Sequence, residues 1–84
     1  MEDLINSVIL KVLRILLREG EINITRLARE SHVNYKKLEK ALETLERKNI
    51  IEIYEGDKTK LIRINYSNPK VIILKNLFDE LESI

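Results

Sequence analysis

Hydrophobic side chains near the start of the chain recur with the period of an α-helix and predict a helix over residues 3–19. Asp3 is a suitable N-cap for it, and Gly20 suits the left-handed turn that ends a helix. The apolar positions cover roughly 240°, whereas one core-facing stripe needs little more than about 100°. They are Leu4, Ile5, Val8, Ile9, Val12, Leu13, Ile15, Leu16 and Leu17. We expect part of this arc to pack on a second subunit, the alternative being a central helix covered by its own domain.

Two further helices are predicted over residues 25–31 and 35–48, separated by a turn at residues 31–33. Asn23 or Thr25 is the cap of the first and Asn34 the cap of the second. Residues 21–24 are short and could add a brief strand. The core face of the second helix is Leu38, Ala41, Leu42 and Leu45.

Two alternating, Ile- and Tyr-rich segments, residues 50–55 and 60–66, flank Gly56-Asp57 and predict a β-hairpin. We expect Ile62, Ile64 and Tyr66 to face inward. Asn68-Pro69 then opens a last helix, because Asn is a good cap and Pro suits the first helical position. One face of that helix carries Val71, Ile73, Leu74, Leu77, Phe78, Leu81 and Ile84.

The order of these elements is helix, short strand, helix, turn, helix, two-stranded hairpin, helix. It predicts a winged helix-turn-helix domain, α+β but mainly α, with a two-stranded wing and a C-terminal helix. The chain has 84 residues, of which 44% are hydrophobic and 35% charged, so residues 1–84 should form one folded domain.

Catalytic and metal-binding signals are missing from the sequence. There is no Cys, and His32 alone cannot build a metal site. The two glycines, Gly20 and Gly56, form no nucleotide-binding or hydrolase motif. We therefore expect no enzyme, no cofactor, no metal and no evident small-molecule ligand. With no long apolar run and with Glu2 and Asp3 at the start, we also expect a cytoplasmic, nucleoid-associated protein with no membrane partner.

Positive charge is concentrated in the middle of the chain, although the whole chain carries only +1. Residues 25–70 hold eleven basic and seven acidic side chains, a net +4, while residues 1–24 carry −1 and residues 71–84 carry −2. The basic part coincides with the predicted helix-turn-helix and wing, which favours a polyanionic partner. An Ile- and charge-rich composition without Cys is also typical of a thermophile.

The predicted helix 35–48 has the two faces that a DNA-recognition helix needs. Opposite its apolar face lie Tyr35, Lys36, Lys37 and Lys40, all in the first two turns, where such helices contact base edges. Asn34 is first a cap, and a base contact would be additional. The alternative is an ordinary solvated face on which Glu39, Glu43 and Glu46 pair with the lysines.

Two neighbouring elements supply further basic candidates. Arg26 and Arg29 lie on the preceding helix, which crosses the DNA backbone in this arrangement. Lys58 and Lys60 lie at the hairpin tip, which can reach the minor groove or its phosphates. The alternative for the hairpin is that its lysines only protect a sheet edge from aggregation.

The segment from Val33 to Ile51, VNYKKLEKALETLERKNII, resembles small archaeal winged-helix proteins, which include chromatin-type proteins and transcriptional regulators. It is more distantly similar to regulators of the multiple-antibiotic-resistance and arsenic-repressor kinds. The shared pattern is Asn-Tyr at the helix start, spaced leucines and an exit into the wing, with Asn49 where the family usually has Gly. The resemblance implies a homodimer that binds double-stranded DNA, with contacts from Asn34, Tyr35, Lys36, Lys37, Lys40, Lys58 and Lys60.

The last predicted helix is shorter than the long coiled-coil helix of the chromatin-type members. This favours dimerisation through residues 1–19 and 69–84 together, and a regulator over a bulk chromatin protein. The expected interface residues are Ile5, Val8, Ile9, Val12, Leu74, Leu77, Phe78 and Leu81. The resulting hypothesis is a sequence-reading transcriptional regulator; the alternatives are a winged-helix adaptor that binds proteins only, and a general chromatin-packing protein.

Overall fold

A computed structural model describes residues 7–83 and confirms the α+β, mainly helical class and the predicted order of elements. Asp3, Leu4 and Ile5, to which the sequence assigned a cap and part of the apolar arc, lie outside the described residues. The helices are α1 (Ser7–Glu19), α2 (Ile24–Ser31), α3 (Tyr35–Arg47) and α4 (Pro69–Glu82). The strands are β1 (Glu21–Asn23), β2 (Ile51–Glu55) and β3 (Lys60–Ile64).

Asparagine caps set the starts of three helices. The Asn23 side chain accepts a hydrogen bond from the backbone N–H of Arg26 at 2.8 Å, which decides between the two cap candidates for α2. Asn68 caps α4 in the same way, with Pro69 following it at the start of the helix. Because each cap satisfies a backbone N–H that has no partner within the helix, it fixes the first turn.

Residues in the left-handed conformation follow the ends of α1, α2 and α3. Gly20 has φ +81° and donates its N–H to the carbonyl of Leu16, which closes α1 as predicted. Asn49 has φ +61° and ends α3, so Asn performs here what Gly commonly does. His32, also at positive φ, makes the turn between α2 and α3.

The sheet has the order β1-β3-β2 and is antiparallel throughout. Ile62 is the central residue: it pairs with Ile22 of β1 and with Ile53 of β2. The buried side of the sheet packs on the helices through Ile22, Ile51, Ile62 and Ile64. On the opposite side Arg63 pairs with Glu21 at 3.4 Å, so this cation serves the outer surface of the sheet.

The base of the wing is joined by hydrogen bonds to the ends of α1 and α3. The N–H of Ile64 donates to the carbonyl of Gly20, and the N–H of Asn65 donates to the carbonyl of Ile50. The side-chain amide of Asn65 also donates to the carbonyl of Asn49. These bonds fix the hairpin relative to α3.

The prediction that Tyr66 faces inward was wrong, since this residue is 52% exposed. The strand ends at Ile64 because Asn65 turns the chain: its carbonyl accepts from Asn68, and its side chain accepts from the N–H of Ser67. The alternation of the strand does not continue through such a turn, so Tyr66 lies outside, with its hydroxyl over Gly20.

Helix α1 runs through the core and contacts α2, α3, β1 and β3. Val12 and Leu16 are fully buried, and Ile9 and Leu13 almost so. The apolar arc of α1 is therefore wide mainly because its own domain surrounds the helix. This is the alternative that the sequence analysis left open, a central helix covered by its own domain. In contrast, only Val71 of α4 is fully buried, and much of the apolar surface of that helix remains exposed.

Candidate nucleic-acid interface

Helix α3 is held from one side and open on the other. Leu38 and Leu45 are fully buried, and Ala41 and Leu42 nearly so, so the core fixes the rotation of the helix. The opposite side carries Lys36, Lys37 and Lys40, all exposed. A long-armed basic surface of this kind can reach phosphates and base edges in a major groove.

The N-terminus of α3 is built by Asn34. Its side-chain oxygen accepts from the N–H of Lys37 at 2.9 Å, so this oxygen is engaged as a cap. Lys36 and Lys37 thus lie in the first turn, where the helix dipole adds partial positive charge. The structure places the cap and the cations together, as the sequence predicted.

None of these lysines is neutralised by its own helix. Within residues 7–83, no ion pair joins Lys36, Lys37 or Lys40 to Glu39, Glu43 or any other acid. The alternative reading, in which the acids of α3 pair with its lysines, is not realised. The ammonium groups are free to meet an external anion.

Arg47 extends this basic surface and was not among the predicted contacts. It is exposed and lies seven residues after Lys40, which places both on the same side of the helix. Together with Lys37 and Lys40 it lines a shallow groove against the start of α1. Helical spacing alone could have identified Arg47, had the search not stopped after the second turn.

Tyr35 connects α3 to the wing. It is half exposed and lines a polar groove with Thr25 at the start of α2 and with Lys58 and Thr59 of the wing tip. Its ring therefore neither inserts into the core nor stands isolated. This groove brings together hydroxyl and ammonium groups from three elements, which can bind a phosphodiester backbone, and its lining also includes Glu55 and Asp57.

The wing tip is the four-residue connection between β2 and β3. The N–H of Gly56 donates to the carbonyl of Thr59 at 2.8 Å, which closes the turn. Lys58 is exposed and makes no ion pair in the described part of the chain. Lys60 differs, because its ammonium lies 3.8 Å from a carboxylate oxygen of Glu55. The two predicted wing contacts are thus unequal.

Arg26 is engaged by acidic side chains of its own chain, in a partly exposed ion-pair network. Its guanidinium contacts Glu30 at 2.5 Å and Glu19 at 3.1 Å, and Arg18 completes the network by pairing with both acids. The hydrogen bond that Arg26 donates to Glu30, helped by the charge of Glu19, raises the pKa of Arg26 above its ordinary value. Arg29, by contrast, is exposed and forms no ion pair among residues 7–83, so it is the better phosphate candidate of the two.

Acidic residues line the side of α3 that faces the wing. Glu39, Glu43 and Glu46 form a groove there with Glu55 of β2 and the ammonium of Lys60. This side repels anions, and Glu43 also lines the groove that holds Lys37, Lys40 and Arg47.

A second surface, here called the terminal groove, is apolar and lies between α1 and α4. It has a volume of about 900 Å³, with Leu74 and Phe78 as partly buried side chains and Leu10, Ile73, Leu77 and Leu81 along its exposed margin. An exposed apolar surface of this extent is typical of a protein interface.

The predicted dimer residues divide into two groups. Leu77 and Leu81 are exposed, and Leu74 and Phe78 line the terminal groove with them. These four residues therefore have accessible apolar surface that a second subunit can cover. Ile9 and Val12 do not: the protomer core covers them, and their assignment to the interface is corrected accordingly. Val8 is half-buried against the core, and Ile5 lies outside the described residues. Leu10 and Ile73, not among the predicted interface residues, belong to the exposed margin.

Two other kinds of site were sought in residues 7–83. No group of three or more His, Cys, Asp or Glu side chains there could hold a metal ion. None of the helices in that range combines the length and hydrophobicity that a membrane crossing requires.

The family profile described as HVO_A0114, an archaeal family, matches residues 4–71. No curated protein matches the chain. The fold is similar to that of HlyU from Vibrio cholerae, with a TM-score of 0.81 and 18% identity over 99% of this chain and 87% of that one.

Two further solved structures share the fold. A transcriptional regulator homologue from Pyrococcus horikoshii has a TM-score of 0.76 and 16% identity, covering 98% of this chain and 83% of the other. The homodimeric winged helix-turn-helix DNA-binding domain of Mb0332 from Mycobacterium bovis has a TM-score of 0.71 and 22% identity, covering 98% and 73%. At these identities the likeness establishes the winged-helix fold.

Proposed function

This chain belongs to the HVO_A0114 family, and we propose that it is a transcriptional regulator that binds double-stranded DNA as a homodimer. One observation carries the proposal: Lys36, Lys37 and Lys40 are exposed and unpaired on a helix whose other face is fixed in the core. In this reading α3 enters the major groove, and the wing tip contacts the backbone or the minor groove.

The proposed contacts have different roles. Lys36 reaches base edges, while Lys37, Lys40 and Arg47 line the groove toward the start of α1 and contact phosphates and neighbouring base edges. Tyr35 and Lys58 contact the backbone from the groove between α3 and the wing. Arg29 adds a phosphate contact from α2.

Several of the DNA contacts predicted from the sequence contribute less to the proposed binding. Asn34 acts mainly by capping α3. Lys60 shares its charge with Glu55, and Arg26 is held by Glu30, so both contribute less to DNA binding. We propose that the whole chain is one such domain, working on DNA in the cytoplasm.

The homodimer is proposed on the terminal groove. Leu74, Leu77, Phe78 and Leu81 supply an apolar surface that a second copy can cover, and α1 contributes Leu10. Two protomers related by a two-fold axis would present two α3 helices to a palindromic site, with half-sites about one turn of DNA apart. A structural neighbour, the Mb0332 domain, is described as homodimeric, which agrees with this proposal.

The test is a binding titration with double-stranded DNA at several salt concentrations. Lys36→Ala/Lys40→Ala should weaken binding at least about tenfold and flatten the salt dependence by roughly one unit of slope per lost phosphate contact. The control is Lys75→Ala, which removes a cation from α4 outside the terminal groove and should leave binding nearly unchanged.

Comparing selected DNA with random DNA at one salt concentration separates the candidate functions. A preference of a hundredfold or more supports a regulator, whereas equal affinity supports a chromatin-packing protein. No binding even at low salt, with the fold intact, would refute the DNA proposal and leave a protein-binding adaptor.

A further inference from the structure

We propose that Glu43 of α3 is a specificity-determining residue that selects a cytosine in the major groove. The inference rests on the DNA binding proposed above and concerns which sequence is read. The outward row of α3 consists of exposed residues at intervals of four, three and four positions, which keeps them on one face of the helix: Lys36, Lys40, Glu43 and Arg47. Glu43 is thus an acid within an otherwise basic row.

The carboxylate of Glu43 is not used inside the protein. Lys40 precedes it by three residues and Arg47 follows it by four, spacings at which a Glu commonly pairs with a cation. Within residues 7–83, however, Glu43 forms no ion pair, and neither do these two cations. All three line the same groove. The row therefore presents donors and an acceptor side by side, each available to an external partner.

An acid at this position has a cost that depends on the sequence of the DNA. The charge of Glu43 repels the phosphates of every duplex, so a surface that only bound phosphates would bind better with a neutral residue there. A hydrogen bond from a base edge to the carboxylate offsets that repulsion for one sequence and leaves it in place for the others. Such a residue contributes discrimination and not affinity.

The chemistry of a carboxylate identifies the base. An ionised Glu only accepts hydrogen bonds. In the major groove guanine presents the acceptors N7 and O6, and thymine presents the acceptor O4 and a methyl group, so both bases disfavour Glu43. Adenine presents its N6 donor beside the acceptor N7, whereas cytosine presents the N4 amino group alone. Cytosine is therefore the base that donates to Glu43 without placing an acceptor against it.

The position of Glu43 along α3 is compatible with this contact. From Lys36 to Glu43 the helix rises about 10.5 Å, at about 1.5 Å per residue, and a major groove is about 12 Å wide. Both residues can thus lie within the groove, while Arg47, about 6 Å further along, reaches the phosphates at its edge. Lys40, one turn before Glu43, faces neighbouring base pairs, where its ammonium donates to guanine.

Selection of bound duplexes from a random pool tests the inference with the full-length wild type and three variants. The wild type should select cytosine at one position of each half-site. Glu43→Gln should change that base to adenine, because Gln bonds to N6 and N7 of adenine, and Glu43→Ala should have no preference there. Glu46→Gln, the matched control, removes the same charge from the wing-facing side of α3 and should select the wild-type sequence.

A titration with single duplexes measures the size of the effect. Replacing the selected C·G pair by T·A should weaken wild-type binding about tenfold or more, within the range of one base contact. The same replacement should leave the affinity of Glu43→Ala nearly unchanged. Equal melting temperatures of all four proteins, expected because Glu43 and Glu46 are exposed, exclude a loss of fold as the cause.

The contrary results separate this inference from the proposed function. A cytosine preference retained in both Glu43 variants would overturn the inference, as would a gain in affinity that is equal for all duplexes, since that is an effect of charge alone. Either result, with a selected site still present, leaves the DNA-binding regulator intact. No binding of the wild type to any duplex at low salt would refute the proposed function and this inference together.

Discussion

The side-chain oxygen of Asn34 accepts a hydrogen bond from the backbone N–H of Lys37 at 2.9 Å, so one residue both starts α3 and orients its basic first turn. Stability and the proposed DNA binding are therefore linked at this position. The side chain of Asn34 can be changed so that the two effects separate.

Asn34→Ala should lower the free energy of unfolding by about 1 kcal/mol, because the Lys37 N–H loses its cap. Asn34→Asp should keep the cap, since Asp and Asn are about equal there. The added negative charge should nevertheless weaken DNA binding. Thermal unfolding and DNA titration of both variants measure this. Equal DNA affinity of the Asp variant and the wild type would place Asn34 away from the nucleic acid.

Arg26 and Arg29 are three residues apart and should behave oppositely. Arg26→Ala breaks contacts to Glu19 and Glu30 and should lower the melting temperature with little effect on DNA affinity. Arg29→Ala should weaken DNA binding and leave the melting temperature unchanged. Thermal unfolding and DNA titration of both variants test this. A larger loss of DNA affinity for Arg26→Ala than for Arg29→Ala would contradict the assignment of the phosphate contact to Arg29.

The pKa of Arg26 is raised, so its stabilising ion pairs are fully present below its ordinary pKa. They are lost only as the pH rises through that raised value. The stabilisation provided by the Arg26 guanidinium should therefore show no titration of this group between pH 6 and pH 9, a range far below the ordinary pKa of an arginine. Comparing the melting temperatures of wild type and Arg26→Ala across that range tests it.

Lys58 and Lys60 should differ in the salt dependence of binding. Lys58→Ala should reduce the slope of log affinity against log salt by about one, the value for one lost phosphate contact. Lys60→Ala should change it less, because Glu55 already lies 3.8 Å from that ammonium. The double variant Glu55→Gln/Lys60→Ala provides the control for the local charge. Equal slopes for the two single variants would contradict unequal wing contacts.

Glu43 is exposed beside Lys40 and Arg47 on α3 and pairs with neither. Glu43→Gln should raise the affinity for random DNA several-fold at low salt. Repulsion between a carboxylate and a phosphate about 4 Å apart in water weakens binding by about 1 kcal/mol. Glu80→Gln on α4 removes the same charge far from α3 and should have no such effect. An unchanged affinity for Glu43→Gln would indicate that this part of α3 stays outside the groove.

The sequence predicted the elements well because their boundaries depend on local signals. Asn34, Asn68 with Pro69, and Gly20 act within one turn of helix, so their effect is visible without knowledge of the fold. The basic surface of α3 followed from the same helical periodicity.

What the sequence missed depends on contacts between distant segments. The engagement of Arg26 requires the end of α1 to lie beside α2, which brings Glu19 to it. The width of the apolar arc on α1 does not tell whether a residue such as Val12 meets its own domain or a second subunit. Tyr66 faces outward because Asn65 makes a turn through its side chain, a choice that strand alternation cannot reveal.

The hydrogen bonds from Ile64 to Gly20 and from Asn65 to Ile50 have a consequence for recognition. They set the gap between hairpin and α3 before any ligand arrives, so little ordering entropy is lost at that joint on binding. In the proposed complex this fixed spacing also contributes to selectivity. Duplexes whose groove width matches the spacing bind without deformation, whereas other duplexes must pay a deformation energy.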